Sequence, residues 1–205
     1  REFLELGKRE YIELKKFADS LKIYFFATPF DFKSVDFLDE IGVPAYKIAS
    51  ADLINTPLQE YIARKNKQIF LSTGGGKMED IKRACKNILA INKKLCVLHC
   101  TASYPVSISE MNLRVISVLK KKYPKLIIGI SDHESGIDAS AIAYMMGARV
   151  FEKHFTLDHS WKGTDHSFSL MPEGLRKMVR NLNRIPQMLG SGVKKQYLSE
   201  KKPIK

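Results

Sequence analysis

Six short apolar runs, each rich in β-branched and aromatic residues, alternate along this chain with longer segments of helical periodicity. Nearly continuous apolar character over about four to eight residues is typical of parallel strands that are buried on both faces. The predicted strands cover residues 23–30, 45–50, 68–73, 95–100, 126–131 and 149–155. The predicted helices cover residues 7–21, 33–41, 56–66, 77–91, 109–122, 136–147 and 172–189.

Local capping signals support several of these boundaries. Thr56 is predicted to cap the third helix, with Pro57 at the first helical position and Gln59 as the capping-box partner. Gly42 and Gly147 lie where two helices are expected to end, since glycine is favoured just after a helix. The regular alternation of strand and helix predicts an α/β fold built from repeated βα units.

An open doubly wound sheet and a (β/α)8 TIM barrel are the two architectures that fit this pattern. The polar residues at the predicted strand ends are Thr28, Ser50, Ser72 and Thr73, His99 to Thr101, Ser131 to His133, and Lys153 with His154. A barrel gathers all of its strand ends around one mouth, so this distribution favours the barrel. A closed barrel of this type needs eight strands, and the pattern supplies six of them.

Two histidines at neighbouring strand ends are candidate metal ligands. His133 and His154 end adjacent predicted strands, which lie about 5 Å apart in a parallel sheet, so both imidazoles can reach one divalent ion. Imidazole suits Mn, Fe, Co or Zn, and two ligands leave positions open for water and substrate. A single histidine beside a core strand is more often structural, which is our interpretation of His99. The equivalent placement of the other two favours a metal site.

One cation and three hydroxyls are predicted near the same mouth. Lys47, Ser50, Ser72 and Ser131 together suit a phosphate or a carboxylate. Period-two alternation puts Lys47 on a different face from Ile48, and a lysine inside a barrel needs an anionic partner. A Schiff-base lysine and a core ion pair are the alternatives for Lys47.

Two polar loops near the mouth carry weaker signals. The glycines of 72–80 let backbone approach a ligand closely, but this segment lacks the G-x-x-x-x-G-K-[ST] spacing of a Walker site. Asp165 and His166 in the segment 161–170 could reach over the mouth. An ordinary surface loop with a turn at Gly163 explains that segment equally well.

Composition narrows the classes of protein and partner. The 205 residues suffice for one domain, with 44% hydrophobic and 27% charged residues, as in ordinary globular proteins. The net charge of +12 is spread over helical stretches and the C-terminal tail without a nucleic-acid motif, so neither nucleic acid nor a membrane is expected as a partner. The three cysteines lack metal-site spacing, and Cys96 and Cys100 fall in an apolar run, which predicts reduced thiols in a cytoplasmic protein.

Several segments together resemble the sialic acid synthases, a family that includes N-acetylneuraminate, legionaminate and pseudaminate synthases. The similar segments are "FFATPFD", "YKIASADLIN", "FLSTGGGKMEDI", "LHCTASYPVSISEMNLRVI", "IGISDHESG" and "GARVFEKHFTLDHSWKGTDHSFSL". The most specific part is the combination of "SDH" and "EKHFT" with "GTDHSFSL" after them. The final stretch, "LGSGVKKQYLSEKKPIK", resembles the sequence that closes the family's barrel domain.

The resemblance implies a (β/α)8 barrel that condenses phosphoenolpyruvate with an open-chain N-acetylated amino sugar of the N-acetylmannosamine type. C3 of phosphoenolpyruvate attacks the sugar aldehyde, water adds at C2, and C–O cleavage releases phosphate and leaves a nine-carbon 2-keto sugar acid. His133 and His154 are the implied ligands of a divalent metal ion (Mn, Mg or Co), and they act in catalysis through it. The implied substrate contacts are Lys47, Ser50, Ser72 and Ser131 for phosphoenolpyruvate, and Asp52, Tyr104 and Asp165 for the amino sugar.

The chain departs from the family pattern at two positions and in its extent. Asp52 stands where many members carry glutamate, and Ala102 stands where many carry asparagine or serine. The resemblance implies that residues 1–190 hold barrel strands three to eight, and that 191–205 form a linker toward an antifreeze-like domain that the printed sequence lacks. It also implies a homodimer of the full-length protein. The alternatives are a lysine-dependent pyruvate aldolase and an inactive truncated protein that serves binding or assembly.

Overall fold

Five parallel strands form one curled sheet, a half-barrel in which each strand pairs with its neighbours in chain order. The strands are β1 (Ala45–Ile48), β2 (Gln68–Ser72), β3 (Leu95–Cys100), β4 (Ile127–Asp132) and β5 (Val150–Lys153). The structure, a computed structural model, describes residues 5–201. The predicted α/β class and parallel sheet are confirmed, while the assignment of the strands to barrel positions three to eight stays a prediction.

Seven α-helices flank these strands within residues 5–201. They are α1 (Lys8–Ser20), α2 (Phe32–Glu40), α3 (Thr56–Arg64), α4 (Met78–Ile91), α5 (Arg114–Lys122), α6 (Asp138–Met145) and α7 (Pro172–Leu189). Each corresponds to one predicted helix, although α5 starts later than predicted because Ile108–Glu110 form a separate 3-10 turn. Gly42 and Gly147 follow α2 and α6 with φ of +73° and +107°, as the predicted helix ends require.

The predicted strand 23–30 is wrong. Ala27 alone forms a parallel bridge, to Tyr46 of β1. Pro29 has no N–H to donate to a ladder, and a proline inside an apolar run argues against a paired strand. Tyr24 is 83% exposed, so this part of the run does not lie in the core. The segment therefore follows the edge of β1 without joining the sheet.

The predicted cap of α3 is also wrong. Asn55 caps the helix instead of Thr56, its side chain accepting a bond from a first-turn backbone N–H at 3.4 Å. Gln59 is no capping-box partner, because its side chain is buried and its Nε2 donates to the carbonyls of Asp52 and Leu53 at 2.8 and 2.7 Å. Gln59 therefore joins α3 to the loop that follows β1.

The strands alternate between a helix-facing side and a concave side. Tyr46 and Ile48 are buried in the main apolar core against the helices, whereas Lys47 between them lines a cleft on the concave side, as the alternation predicts. The same alternation puts Ile130 in the core and Ser131 in the cleft. Burial of the apolar face thus fixes which polar side chains point inward.

None of the helices within residues 5–201 combines the length and apolar content needed to cross a membrane. The predicted division into a barrel segment 1–190 and a linker 191–205 stays a prediction. In this region α7 ends at Leu189, and a 3-10 turn covers Leu198–Lys201. Residues 1–4 and 202–205 of the two predicted segments lie outside the described residues.

Candidate active site

A cleft of about 390 Å³ opens where the carboxyl ends of the five strands meet. Its lining consists of Thr28, Lys47, Ala49, Ser50, Ser72, Tyr104, Ser131, Asp132, His133, Glu152, Lys153 and His154. Seven of the nine predicted site residues are in this lining, and Asp52 and Asp165 are outside it. Parallel strands bring their ends to one edge, which is why residues far apart in the chain meet here.

The two predicted metal ligands lie side by side. The ring centroids of His133 and His154 are 5.3 Å apart, with an angle of 73° between the ring planes. Nδ1 of His133 is 2.9 Å from the Thr101 carbonyl oxygen, so it carries the proton and donates, which leaves Nε2 as a lone-pair donor. Burial lowers the pKa of His133, which favours the neutral form that binds metals.

Asp165 reaches the second histidine from the loop after β5. Its Oδ2 lies 3.5 Å from Nδ1 of His154, in the arrangement by which carboxylates orient metal-binding imidazoles. The loop is fixed at its base by a parallel bridge between Phe155 and Leu170 and by a backbone bond from Leu170 N–H to the His154 carbonyl at 2.8 Å. Its predicted contact with an amino sugar stays a prediction.

The chemistry of these donors fits a divalent ion. Both imidazoles line the same cleft. In each ring Nδ1 faces an oxygen that orients the ring, the Thr101 carbonyl for His133 and the Asp165 carboxylate for His154. Residues 5–201 contain no group of three or more His, Cys, Asp or Glu arranged to hold a metal. An ion at this position would therefore have two protein ligands from the described residues, leaving coordination positions for water or substrate.

The predicted anion-binding residues form the other part of the cleft. Nζ of Lys47 lies 3.6 Å from Oε2 of Glu152, and the Ser72 hydroxyl donates to the same oxygen at 3.4 Å. Burial lowers the pKa of Lys47, while the Glu152 carboxylate opposes this shift. Nζ of Lys47 also donates to the Ile48 carbonyl oxygen at 3.2 Å, so both of its contacts with the protein are long.

Ser50 is held in place by two neighbours. Its hydroxyl oxygen accepts the Gly74 N–H at 2.9 Å, and the hydroxyl donates to Sγ of Cys100 at 3.5 Å. A Cβ at Gly74 would lie 2.9 Å from Oγ of Ser50, 2.9 Å from Sγ of Cys100 and 2.8 Å from Cβ of Ala102. The glycine-rich loop therefore packs closely against a predicted substrate-binding side chain, although it is no Walker site.

Tyr104 covers the histidine pair. Its ring lies 4.1 Å from the His133 centroid and 5.7 Å from the His154 centroid. The ring is 51% exposed, so one side remains available to a ligand in the cleft. A tyrosine in this position can present both a ring face and a hydroxyl to a sugar.

Asp52 lies in the turn after β1, and its carboxylate accepts a bond from the Asn55 side chain at 2.9 Å. That contact ties it to the helix-capping residue, and Asp52 does not line the cleft. His99, interpreted as structural, is buried with its Nε2 2.7 Å from the Met111 carbonyl oxygen. Its role in packing accords with that interpretation.

Five residues of the cleft lining were not among the predicted site residues: Thr28, Ala49 and three charged residues, Glu152, Asp132 and Lys153. Glu152 lies two residues before His154, so strand alternation already places both on one face. Asp132 and Lys153 each directly precede a predicted metal ligand. Their opposite charges at these equivalent positions were the signal in the sequence that could have predicted an ion pair. They form an ion pair of 2.9 Å whose side chains are 0% and 4% exposed.

Comparison with known proteins adds information that geometry alone cannot supply. The sequence profile of the NeuB family matches residues 1–194. Human N-acetylneuraminate-9-phosphate synthase is 40% identical over 191 residues, covering 93% of this chain and 53% of that protein. N,N'-diacetyllegionaminic acid synthase of Campylobacter jejuni is 42% identical over 205 residues, covering 98% of this chain and 61% of that protein. The chain thus spans between half and two thirds of these relatives.

A solved structure agrees with the sequence comparisons. The N-acetylneuraminic acid (sialic acid) synthetase of Leptospira borgpetersenii, crystallised in complex with citrate, superposes with a TM-score of 0.88 at 38% identity, covering 98% of this chain and 70% of that one. A truncated 3-deoxy-D-arabino-heptulosonate 7-phosphate synthase of Thermotoga maritima, at 17% identity, has a TM-score of 0.74 and shares the fold. Sequence and backbone therefore point to the same group of proteins.

Proposed function

Because this chain belongs to the NeuB family, we propose that it forms most of the catalytic barrel of a synthase that condenses phosphoenolpyruvate with an N-acetylated amino sugar. One observation carries the proposal: seven of the nine site residues predicted from the sequence converge on a single cleft at the strand ends. The names of the relatives, which include synthases of sialic, legionaminic and pseudaminic acids, favour a sugar of the N-acetylmannosamine type. A homodimer of the full-length protein, which the family resemblance implies, is also part of the proposal.

Lys47 and the three serines would bind phosphoenolpyruvate. An ammonium group and hydroxyl donors around an anion supply charge-assisted hydrogen bonds to its phosphate and carboxylate oxygens. The weak partner of Lys47, Glu152 at 3.6 Å, can yield to the ligand. Binding in this part of the cleft would direct C3 of phosphoenolpyruvate toward the histidines.

The amino sugar would occupy the part of the cleft beside Tyr104. Its aldehyde carbon then forms the new C–C bond with C3, water adds at C2, and the C–O bond to phosphate breaks. A divalent ion held by His133 and His154 would polarise the aldehyde oxygen and orient the water. Asp165, 3.5 Å from Nδ1 of His154, would keep that imidazole oriented.

The first test is release of inorganic phosphate from phosphoenolpyruvate by the full-length protein, with Mn²⁺ and a panel of N-acetylated hexosamines. We expect turnover with one sugar class, lost on chelation, and a decrease of at least about 100-fold in His133→Ala, comparable with losing a group that stabilises transition-state charge. A folded protein that binds metal but releases no phosphate with any sugar would favour the inactive binding protein.

The rival aldolase is tested in the same preparation. Lys153 is a poor Schiff-base candidate because its ammonium is paired with Asp132 at 2.9 Å. Lys47, with its pKa lowered by burial, is the better one. Borohydride with pyruvate should leave the protein unlabelled if it is a synthase, whereas a covalent adduct on Lys47 would support the aldolase.

A further inference from the structure

The register of the last strand pair places an acid opposite a base directly before each candidate metal ligand. Asp132 of β4 and Lys153 of β5 are Cα partners in the ladder, and their side chains meet at 2.9 Å. His133 and His154 are the next residues along each strand. The ion pair therefore joins the two strands at the level immediately below the two imidazoles.

The same pair also fixes the residue that follows His133. Oδ1 of Asp132 accepts the Glu134 backbone N–H at 2.9 Å, while Nζ of Lys153 donates to the Glu134 carbonyl oxygen. Both sides of His133 are thus tied to Lys153. Since Lys153 is also the residue before His154, one ammonium group couples the backbones that carry both rings.

We propose that Asp132 and Lys153 are positioning residues, which hold the two imidazoles at the separation and orientation needed to bind one divalent ion. The inference rests on the metal site of the proposed function. Buried ion pairs are often replaceable by apolar residues without loss of stability, so stability alone does not explain charges at this position. Residues that orient metal ligands typically change metal affinity about 10- to 100-fold when they are replaced.

The test variant is Asp132→Asn/Lys153→Met in the full-length protein. It removes both charges, so neither is left buried without its counter-charge. The matched control, Asp36→Asn/Lys65→Met, removes an ion pair of 2.7 Å that does not line the cleft. Ring ¹⁵N NMR of the metal-free protein reports the tautomer of each histidine. We expect His133 in the wild type and the control to show only the Nδ1–H form bonded to Thr101, and the test variant to show mixed tautomers.

Mn²⁺ affinity, measured by electron paramagnetic resonance below the unfolding temperature, is the second readout. We expect binding about 10- to 100-fold weaker in the test variant and unchanged binding in the control. If the test variant does not fold, Asp132→Glu keeps the charge pair but lengthens one arm, and it should show the same changes in weaker form.

The outcomes distinguish the positioning role of the ion pair from the metal site of the proposed function. Unchanged tautomers and unchanged Mn²⁺ affinity in a folded variant would overturn the positioning role. A changed His133 tautomer with no Mn²⁺ binding by any protein, the wild type included, would support the positioning role and count against the metal in the proposed function.

Discussion

Two lysines line the cleft, and they differ in how completely their charge is satisfied. Lys153 lies 2.9 Å from Asp132, and both side chains are almost fully buried. Lys47 is 3.6 Å from Glu152, whose side chain is 40% exposed. The Lys153 ammonium has a short ion pair and a second bond to the Glu134 carbonyl oxygen, whereas the Lys47 ammonium has only longer contacts, to Glu152 and to the Ile48 carbonyl oxygen. The histidine side of the cleft is therefore held more closely than the side that contains Lys47.

The largest difference between the two lysines is expected in the free energy of unfolding of their methionine variants. Lys153→Met leaves the Asp132 carboxylate buried without its cationic partner, and we expect a loss of about 3–5 kcal/mol in the free energy of unfolding. Lys47→Met leaves Glu152 in contact with water, so its effect should stay within about 1 kcal/mol. Urea denaturation of the full-length protein measures both. Equal losses would remove the distinction between the lysines.

For substrate affinity, the larger effect is expected from replacing Lys47. A hydrogen bond to a charged group contributes about 1.5–3 kcal/mol, so Lys47→Met should raise KM for phosphoenolpyruvate roughly 10- to 150-fold. Lys65→Met is the matched control, because Lys65 pairs with Asp36 and does not line the cleft. Steady-state phosphate release gives both values. An unchanged KM in Lys47→Met would exclude this lysine from the anion site.

Acid should lower the free energy of unfolding through His99, a buried residue of β3. Burial lowers the pKa of His99, and the bond to the Met111 carbonyl only partly opposes this. The unfolded chain therefore binds the proton more readily, and stability that is complete above about pH 6.5 decreases as the pH falls toward the folded-state pKa. His99→Gln keeps a donor for Met111 and should reduce this slope by at most about 1.4 kcal/mol per pH unit. Urea titrations between pH 7 and about pH 5 test it, and an unchanged slope would contradict the assignment.

The cysteines give the smallest expected signal. Burial raises the pKa of Cys85 to about 11 and that of Cys96 to about 12, and it raises the pKa of Cys100 between the two sides of the cleft. Thiolates react and thiols do not, so a disulfide reagent near neutral pH should modify none of them in the native protein. All three should react after unfolding. Rapid modification of native Cys100 would contradict this expectation.

Sequence periodicity was sufficient for the helices and for the five strands of the sheet. It failed at 23–30, where apolar residues suggested a strand but pairing depends on partners that local sequence does not reveal. The capping prediction at Gln59 failed because it, too, depended on contacts beyond the local sequence. The pattern of a capping box is local, whereas the actual acceptors, the carbonyls of Asp52 and Leu53, are brought near by the turn after β1.

The candidate site followed from strand ends, because alternation and parallel topology fix which residues share the mouth. His133, His154 and Lys47 needed no further information. The ion pair between Asp132 and Lys153 could not be predicted in this way, because it depends on the register between β4 and β5. A shift of one residue in that pairing would turn one strand's side chains to the other face, and periodicity within a single strand cannot report it.

The three consecutive glycines after β2 constrain sequence variation in different ways. At Gly74 any side chain would collide with Ser50 and Cys100, and at Gly76 it would overlap Leu53, so both positions are closed by volume. Gly75 has open space but a φ of +71°, which asparagine can also adopt. A saturation library scored for activity should therefore return glycine at the outer two positions and mainly glycine or asparagine at the middle one. The glycine-rich segment would then reflect close packing around Ser50 and Leu53, with the backbone conformation restricting the position between them.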